Sequence, residues 1–310
     1  MKVLIAGGAG FIGSHLCDRL LSDGHEVICV DNLITGSKKN IKHNLANSRF
    51  SFIEFDVAEG ILQLDGNLDY IVNLASPASP VDYQKYPIET LKVGALGTLN
   101  TLELARRKKA KYLFSSTSEV YGDPDVSPQA ETYWGRVNPV GSRSQYDESK
   151  RFAEALIVAY RKKHSLDAKI VRIFNTYGPR MRKNDGRVVP NFICQALTGK
   201  PLTIYGDGAQ TRSFCYIDDL VEGIVKMMFA KEAGPINLGN QDEFTIRELA
   251  NKISKIINRK LSVTKQKLPP DDPKQRCPDI TLAKRHLKWQ PKIKLQEGLV
   301  KTIEWFKEIR

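Results

Sequence analysis

The run Gly7-Gly8-Ala9-Gly10-Phe11-Ile12-Gly13 constrains this chain more than any other segment. It follows directly on an apolar stretch, Lys2–Ala6, and opens an amphipathic one, Phe11–Ser22. Glycines at such a junction allow a tight strand-to-helix turn and let backbone approach a pyrophosphate, which the free N–H groups and positive end of the helix favour. The pattern Gly-x-x-Gly-x-x-Gly therefore predicts a dinucleotide site built from Gly7, Gly10, Phe11, Ile12 and Gly13. Asp31, followed by Asn32, ends the next apolar run. A carboxylate there accepts ribose hydroxyls and repels a 2′-phosphate, so NAD is expected rather than NADP. Lys38 and Lys39 nearby are read as solvated loop charges.

Further apolar runs at Phe50–Phe55, Tyr70–Leu74, Lys111–Ser115 and Ala168–Phe174 alternate with helical segments, the longest being Ile88–Arg107 and Tyr146–Lys163. This βαβ rhythm predicts an α/β fold, a Rossmann-type doubly wound parallel sheet covered by helices on both faces. Strand-end position puts Asp56, Val57, Leu74, Ala75 and Ser76 beside the cofactor. After residue 175 prolines and glycines cut the pattern into short pieces. Helices are expected at Leu220–Phe229, with Asp218-Asp219 as N-cap and first turn, and at Phe244–Ile257 and Gln296–Ile309. Ile236–Leu238 should be one more strand, and Pro269–Pro273 a rigid loop. The expected division is an NAD-binding domain over 1–175 plus about 217–238. A smaller, irregular C-terminal substrate domain takes about 176–216 plus 239–310.

Composition narrows the function classes. With 310 residues and 41% hydrophobic content the chain can bury a large core. No apolar run approaches the ~18 residues of a membrane span, and the N-terminal run is too short for a signal segment. A cytoplasmic protein with no membrane partner is expected. The net charge of +12 raises nucleic-acid binding. Its lysines and arginines are spread along the chain and no nucleic-acid motif accompanies them, so no nucleic-acid partner is expected, and the charge is read as a basic surface with a site for an anionic substrate. The five cysteines are scattered, with no Cys-x-x-Cys and no histidine cluster. Reduced thiols and no metal site are expected.

Tyr146 and Lys150 carry the chemistry most directly. Four residues apart on a helix, they share a face. A lysine ammonium there is expected to lower the phenol pKa, so that Tyr146 can take a proton from a sugar hydroxyl while a nicotinamide takes the hydride. Thr117 ends a strand, and Glu119 follows by two residues, which on an extended chain would face the same side.

Taken together, Gly-x-x-Gly-x-x-Gly, Asn73-Leu74-Ala75, the run Ser115–Gly122, Tyr146-x-x-x-Lys150 and Arg172–Arg180 resemble the extended short-chain dehydrogenase/reductases that act on nucleotide sugars. Among these the chain is most similar to the UDP-glucuronic acid decarboxylase (UDP-xylose synthase) family. Longer segments carry that likeness: Leu74–Pro80, Ser116–Pro124, Tyr133-Trp134-Gly135 with Val137-Asn138-Pro139, Asn184–Val189 and Gly208–Arg212. The resemblance implies UDP-glucuronate as substrate, NAD as cofactor, and a homodimer pairing its long helices in a four-helix bundle. It also points to a form without the membrane anchor of some family members. It implies catalysis by Thr117, Glu119, Tyr146, Lys150 and Arg212. Glu119 would act on the substrate carboxylate by repulsion, by orienting a water, or as acid/base at C5. Arg212 would be a proton source or electrostatic partner, or else an anion clamp. Arg187 would reach the cofactor. Substrate would meet Lys92, Glu119, Asn175, Val189, Asn191, Gln210 and Arg212, with Arg276 clamping the diphosphate and Tyr205 either stacking on uracil or sitting in the core.

Rival readings use the same scaffold: a sugar-nucleotide dehydratase, a C4 epimerase, or a decarboxylase that releases the 4-keto pentose. Ser118 between Thr117 and Glu119, where many dehydratases carry an acid, argues against loss of water. A non-enzymatic NAD-sensing or RNA-binding protein is a reading of another class, disfavoured by the intact set of Thr117, Tyr146, Lys150, Glu119 and Arg212.

Overall fold

The computed structural model describes residues 1–259, 261–268 and 275–309; the loop expected at Pro269–Pro273 lies outside them. Strands β1 (Lys2–Ala6), β2 (Glu26–Asp31), β3 (Phe50–Glu54), β4 (Tyr70–Asn73), β5 (Lys111–Thr117) and β6 (Ala168–Ile173) form one parallel sheet, joined at its edge by Ile236–Leu238. The spatial order is Ile236–Leu238, β6, β5, β4, β1, β2, β3. Chain direction across the sheet reverses between β1 and β4, which opens a crevice beyond their carboxyl ends.

Strand alternation builds two cores. Val3, Ile5, Val27, Cys29 and Val72 face the side covered by α1 (Phe11–Ser22) and α7 (Ile217–Phe229). Leu4, Ala6, Ile28, Val30 and Ile71 face the side covered by α4 (Thr98–Lys108) and α5 (Ser144–His164). All ten are at least 95% buried. Each such aliphatic side chain contributes about 1.5–3 kcal/mol, so both faces of the sheet must be covered for the fold to persist.

The expected helix over Ile88–Arg107 is divided. It comprises α3 (Pro87–Lys92), a π-helical turn over Val93–Gly97, and α4, with α2 (Pro80–Lys85) just before. Close packing accompanies the widened turn: a Cβ on Gly94 would stand 2.5 Å from the Ser149 Cβ on α5. The N-cap expected from Asp218-Asp219 is corrected as well. Helix α7 starts from Tyr216, and the Asp219 carboxylate accepts the Lys292 and Ile293 N–H groups at 3.0 and 2.8 Å. Two backbone donors from a distant segment take the carboxylate in place of the local helix end.

The later part of the chain adds α6 (Val188–Thr198), α8 (Ile246–Ile257) and α9 (Leu295–Glu308). Helix α8 begins at a full capping box, Thr245 with Glu248. Strand Thr211–Ser213 lies between Glu243–Thr245, antiparallel, and Gln275–Arg276, parallel. That register sets Arg212 beside Arg276.

At the first turn, Gly7 adopts φ +77°, and a Cβ on Gly13 would stand 2.1 Å from the Gly7 carbonyl oxygen. Backbone is the obstacle, so the loop itself must move. Gly13→Ala should cost about 1–3 kcal/mol, and melting should fall by about 2–4 °C for each. Thermal denaturation with and without NAD checks this; an unchanged melt that NAD raises as in the parent would disprove the packing argument.

Candidate active site

A cleft of about 700 Å³ opens at the carboxyl ends of the strands, and every residue expected at the cofactor, substrate or chemistry lines it. Its cofactor end is the glycine turn. Gly10 caps α1 with no side chain engaging the first-turn N–H groups, an arrangement suited to a diphosphate. Asp31 is buried at the end of β2, where its two oxygens accept the N–H groups of Ala9 at 3.0 Å and Leu33 at 2.8 Å. Burial raises its pKa despite those bonds. The Asn32 amide donates to Asp56 at 2.8 Å, joining two of the expected cofactor residues. Asn73 orders the next strand end by accepting the Ala75 N–H at 3.1 Å. Narrow backbone, an open helix start and an acid at the second strand fit a dinucleotide.

The chemical end is crowded with charge. Strand β5 stops at Thr117, whose hydroxyl accepts the Glu119 N–H at 3.2 Å and caps a short turn over Ser118–Tyr121. Turn geometry, rather than the expected strand alternation, brings Glu119 to the same cleft as Thr117. Its carboxylate accepts Arg143 Nη2 at 2.5 Å and Arg276 Nη2 at 3.1 Å. Burial opposes that charge, but Arg143, Arg276 and Arg212 outweigh it and hold the carboxyl at about 2.

Tyr146 is buried and hydrogen-bonded to Thr117. The phenol is not lowered as expected. Burial pushes it up to about 12, with Thr117 and Arg187 pulling the other way. Lys150 donates to the Ser115 carbonyl at 2.8 Å and stands 5.9 Å from the Tyr146 ring centre. Burial brings Lys150 itself down to about 7. Burial of the phenol outweighs its polar neighbours, so the simple lysine–phenol argument does not describe the site without ligand.

Arg276 departs from its expected role as well. It is 1% exposed and donates to the Ser118 carbonyl, to the Gly122 carbonyl at 3.0 Å and to Glu119. The guanidinium fastens the Glu119 turn and lines the same cleft. Arg187 is held bidentate by Asp185 at 2.5 and 2.7 Å and faces Tyr146. Asn191 donates to the Gly186 carbonyl at 3.0 Å, and Gln210 to the Tyr205 carbonyl at 2.9 Å. Tyr205 is 39% exposed at the cleft, so it is no core tyrosine. Lys92, at the end of α3, and Asn175 and Val189 complete the wall.

Three contributors went unread in the sequence. Arg143 precedes Tyr146 by one helical turn, a spacing that could have flagged it. Tyr83 stacks on Tyr146 with ring centres 5.3 Å apart, its hydroxyl buried and unpartnered. Arg182 pairs with Asp82 at the cleft wall. Only tertiary packing brings the last two in.

The chain belongs to the NAD dependent epimerase/dehydratase family, whose model matches residues 3–239. More particularly, it is 53% identical to UDP-glucuronic acid decarboxylase 5 of Arabidopsis thaliana, over 96% of this chain and 87% of that one. It is 51% identical to UDP-glucuronic acid decarboxylase 1 of Danio rerio, over 98% of this chain and 72% of that one. The solved UDP-glucuronic acid 4-epimerase from Bacillus cereus, in complex with UDP-glucuronic acid and NAD, superposes with TM-score 0.87 at 31% identity, covering 100% of both chains.

The Arg143–Glu119 pair can be tested by acid titration. Glu119 is ionised in the fold down to about pH 2 but in the unfolded chain only above about 4.5. Its stabilisation is therefore present above that range and lost as pH falls through it. Arg143→Met should cost about 3–5 kcal/mol at neutral pH and flatten this acid-side loss. Melting curves from pH 3 to 7 read both; a parallel, unshifted pair of profiles would show that the ion pair does not hold Glu119.

Proposed function

We propose that this protein is a UDP-glucuronate decarboxylase that uses NAD and returns it unchanged, giving UDP-xylose and CO2. The observation that carries the reading is a carboxylate, Glu119, gripped by Arg143 and Arg276 within the same cleft as the hydrogen-bonded Thr117 and Tyr146. That pairing sets an ionised carboxylate in the same cleft as the two hydroxyls that would meet the sugar. Identity with decarboxylases over nearly the whole chain supports the same choice.

Bound NAD supplies a hydride acceptor at C4 and gives the hydride back once CO2 has left; the Gly7–Gly13 turn, Asp31, Lys150 and Arg187 would hold it. Tyr146 is the general base for the C4 hydroxyl, with Thr117 donating to the same oxygen. A C4 ketone stands β to the carboxylate, so the electrons of the breaking C–C bond flow into an enolate whose oxygen Thr117 and Tyr146 steady. Arg187 and the Thr117 hydroxyl lower the cost of phenolate once substrate has excluded water. Glu119, ionised, cannot deliver a proton as it stands; it orients a water at C5 and opposes the substrate carboxylate, a strain relieved when CO2 departs. Arg212 and Arg276 balance those charges. The division into an NAD-binding part, 1–175 with about 217–238, and a substrate-binding part from the remainder belongs to the same reading.

We place the protein in the cytoplasm as a homodimer. All five cysteines are free, and no described helix is long and apolar enough to cross a membrane. Ile88, Leu91, Leu96, Leu99, Phe152 and Val158 are exposed along α3, the π-helical turn, α4 and α5, an apolar face that a second copy would cover. Light scattering should report twice 34.9 kDa. A monomer at micromolar concentration would remove the dimer from the reading.

Incubation with UDP-glucuronate and NAD should give UDP-pentose and CO2 without lasting absorbance of reduced nicotinamide. A 4-keto product with accumulating reduced cofactor would keep the decarboxylation and change the cycle; no loss of mass would sink the proposal. Tyr146→Phe should lower kcat by about 10²–10⁴ with NAD affinity retained, the range for loss of a general base.

A further inference from the structure

Glu154 lies on α5 one turn beyond Lys150 and takes no part in the chemistry above. Its carboxylate is held from two strands. One oxygen accepts the Ser116 hydroxyl of β5 at 2.6 Å and Arg172 Nε of β6 at 2.9 Å, and the other accepts Arg172 Nη2 at 2.7 Å. Both side chains of this ion pair are largely buried. Arg172 is fixed in turn. Its Nη1 donates to the Tyr121 hydroxyl at 2.9 Å and to the Glu131 carbonyl at 3.2 Å, and its guanidinium lies 4.9 Å from the Tyr121 ring centre. Tyr121 closes the turn that carries Glu119, and its own hydroxyl donates to Asn237 at 2.8 Å. One carboxylate therefore ties the helix bearing Tyr146 and Lys150 to β5, β6 and, through Arg172, the Glu119 turn. Charge-assisted bonds of this kind keep it where the helix puts it, on the face of Lys150.

We propose that Glu154 is a positioning residue that acts through Lys150, supplying the fixed negative charge against which the buried ammonium is held for the cofactor. Lys150 itself is almost wholly buried. From β5 it meets the Ser115 carbonyl at 2.8 Å and the Phe114 ring, whose centre is 4.6 Å from the amine; on its own helix it meets the Tyr146 ring at 5.9 Å. The phenol of Tyr146, pushed up to about 12, is neutral near pH 7. Burial brings the Lys150 amine down to about 7, and among the described residues Glu154 is the charge that pulls it back up. Without that charge a larger share of Lys150 would be neutral near pH 7. A neutral amine is the weaker partner for the cofactor, since bonds from a charged donor are roughly twice as strong. The inference rests on the assignment of Lys150 to NAD made above and not on the identity of the sugar.

Glu154→Gln keeps the shape of the side chain and an acceptor oxygen but removes the charge. Lys150 holds its proton up to about pH 10.5 in the unfolded chain and only up to about pH 7 in the fold. Its burial therefore weakens the fold fully below about pH 7 and progressively less above. Glu154→Gln lowers the folded value further and leaves the unfolded one alone. The added cost appears as pH falls below about 7 and vanishes above it, where both proteins hold Lys150 neutral. The melting gap between parent and variant should be about 2–4 °C wider at about pH 5.5 than at about pH 8.5. Arg172, left without its partner, adds a gap that stays constant because arginine is charged throughout. NAD affinity, measured calorimetrically, should weaken in the parent as pH rises through about 7, and in the variant at a lower pH. The variant should then bind NAD about three- to tenfold more weakly at about pH 7 and equal the parent near about pH 9. If Glu154→Gln does not fold, the double variant Glu154→Gln/Arg172→Met, which leaves no bare buried charge, carries the same test. Parallel melting profiles would overturn the proposal. A widened melting gap with an undisplaced NAD profile would uphold the coupling of Glu154 to Lys150 and dismiss the assignment of Lys150 to NAD instead.

Discussion

A hydrogen atom is the largest group that fits between Gly13 and the Gly7 carbonyl, and the rest of the molecule is arranged around that contact. It presses the start of α1 onto the end of β1, so the first-turn N–H groups face the crevice where the strand order reverses. Gly7 is held as tightly on its other side, since a Cβ there would stand 2.9 Å from the Ala75 nitrogen at the end of β4. One turn thereby fixes the spacing of β1, β4 and α1 together. The two apolar cores stabilise the sheet; this turn decides what the sheet can hold.

From that fixed edge the charges become intelligible. Buried ions are tolerable when paired and hydrogen-bonded, and costly otherwise. Glu119 meets the condition through Arg143 and Arg276, and Arg187 through Asp185. Asp147 does not meet it. The cleft lining mixes cations and carboxylates, so its charges act through their pairings rather than as one positive field. Coulomb attraction in such a partly dry cleft exceeds its value in water severalfold, so each of these pairings weighs heavily on the geometry.

Most of the sheet was legible because buried parallel strands read as unbroken apolar runs and end where turn chemistry begins. Lys2–Ala6, Glu26–Asp31, Ile236–Leu238 and Phe11–Ser22 fall where the pattern put them. The π-helical turn at Val93–Gly97 did not show, because the Gly94–Ser149 contact that accompanies it joins segments distant in sequence. In the site, residues within motifs were legible, and their partners were not. Tyr146 and Lys150 announce themselves by spacing and Thr117 by the motif around it, whereas Tyr83 reaches Tyr146 only through the packing of α2. Arg276 was legible as a cation, but its true engagement depends on the register that lays Gln275–Arg276 against Thr211–Ser213.

That register ties the chemistry to the second half of the chain. Arg276 bonds Ser118, Glu119 and Gly122 at once, so the turn bearing the catalytic candidates is fastened from a strand more than 150 residues away. A local turn held only by the Thr117 cap would be worth about 1 kcal/mol and would fray easily. With a buried guanidinium across it, Glu119 cannot swing out without leaving that charge unpaired, a loss of several kcal/mol. Its geometry is therefore set before any ligand arrives, because moving it would break the pairing with Arg276. The glycine turn thus fixes one end of the cleft and Arg276 the turn that carries Glu119, so backbone packing sets one side of the site and a buried ion pair the other.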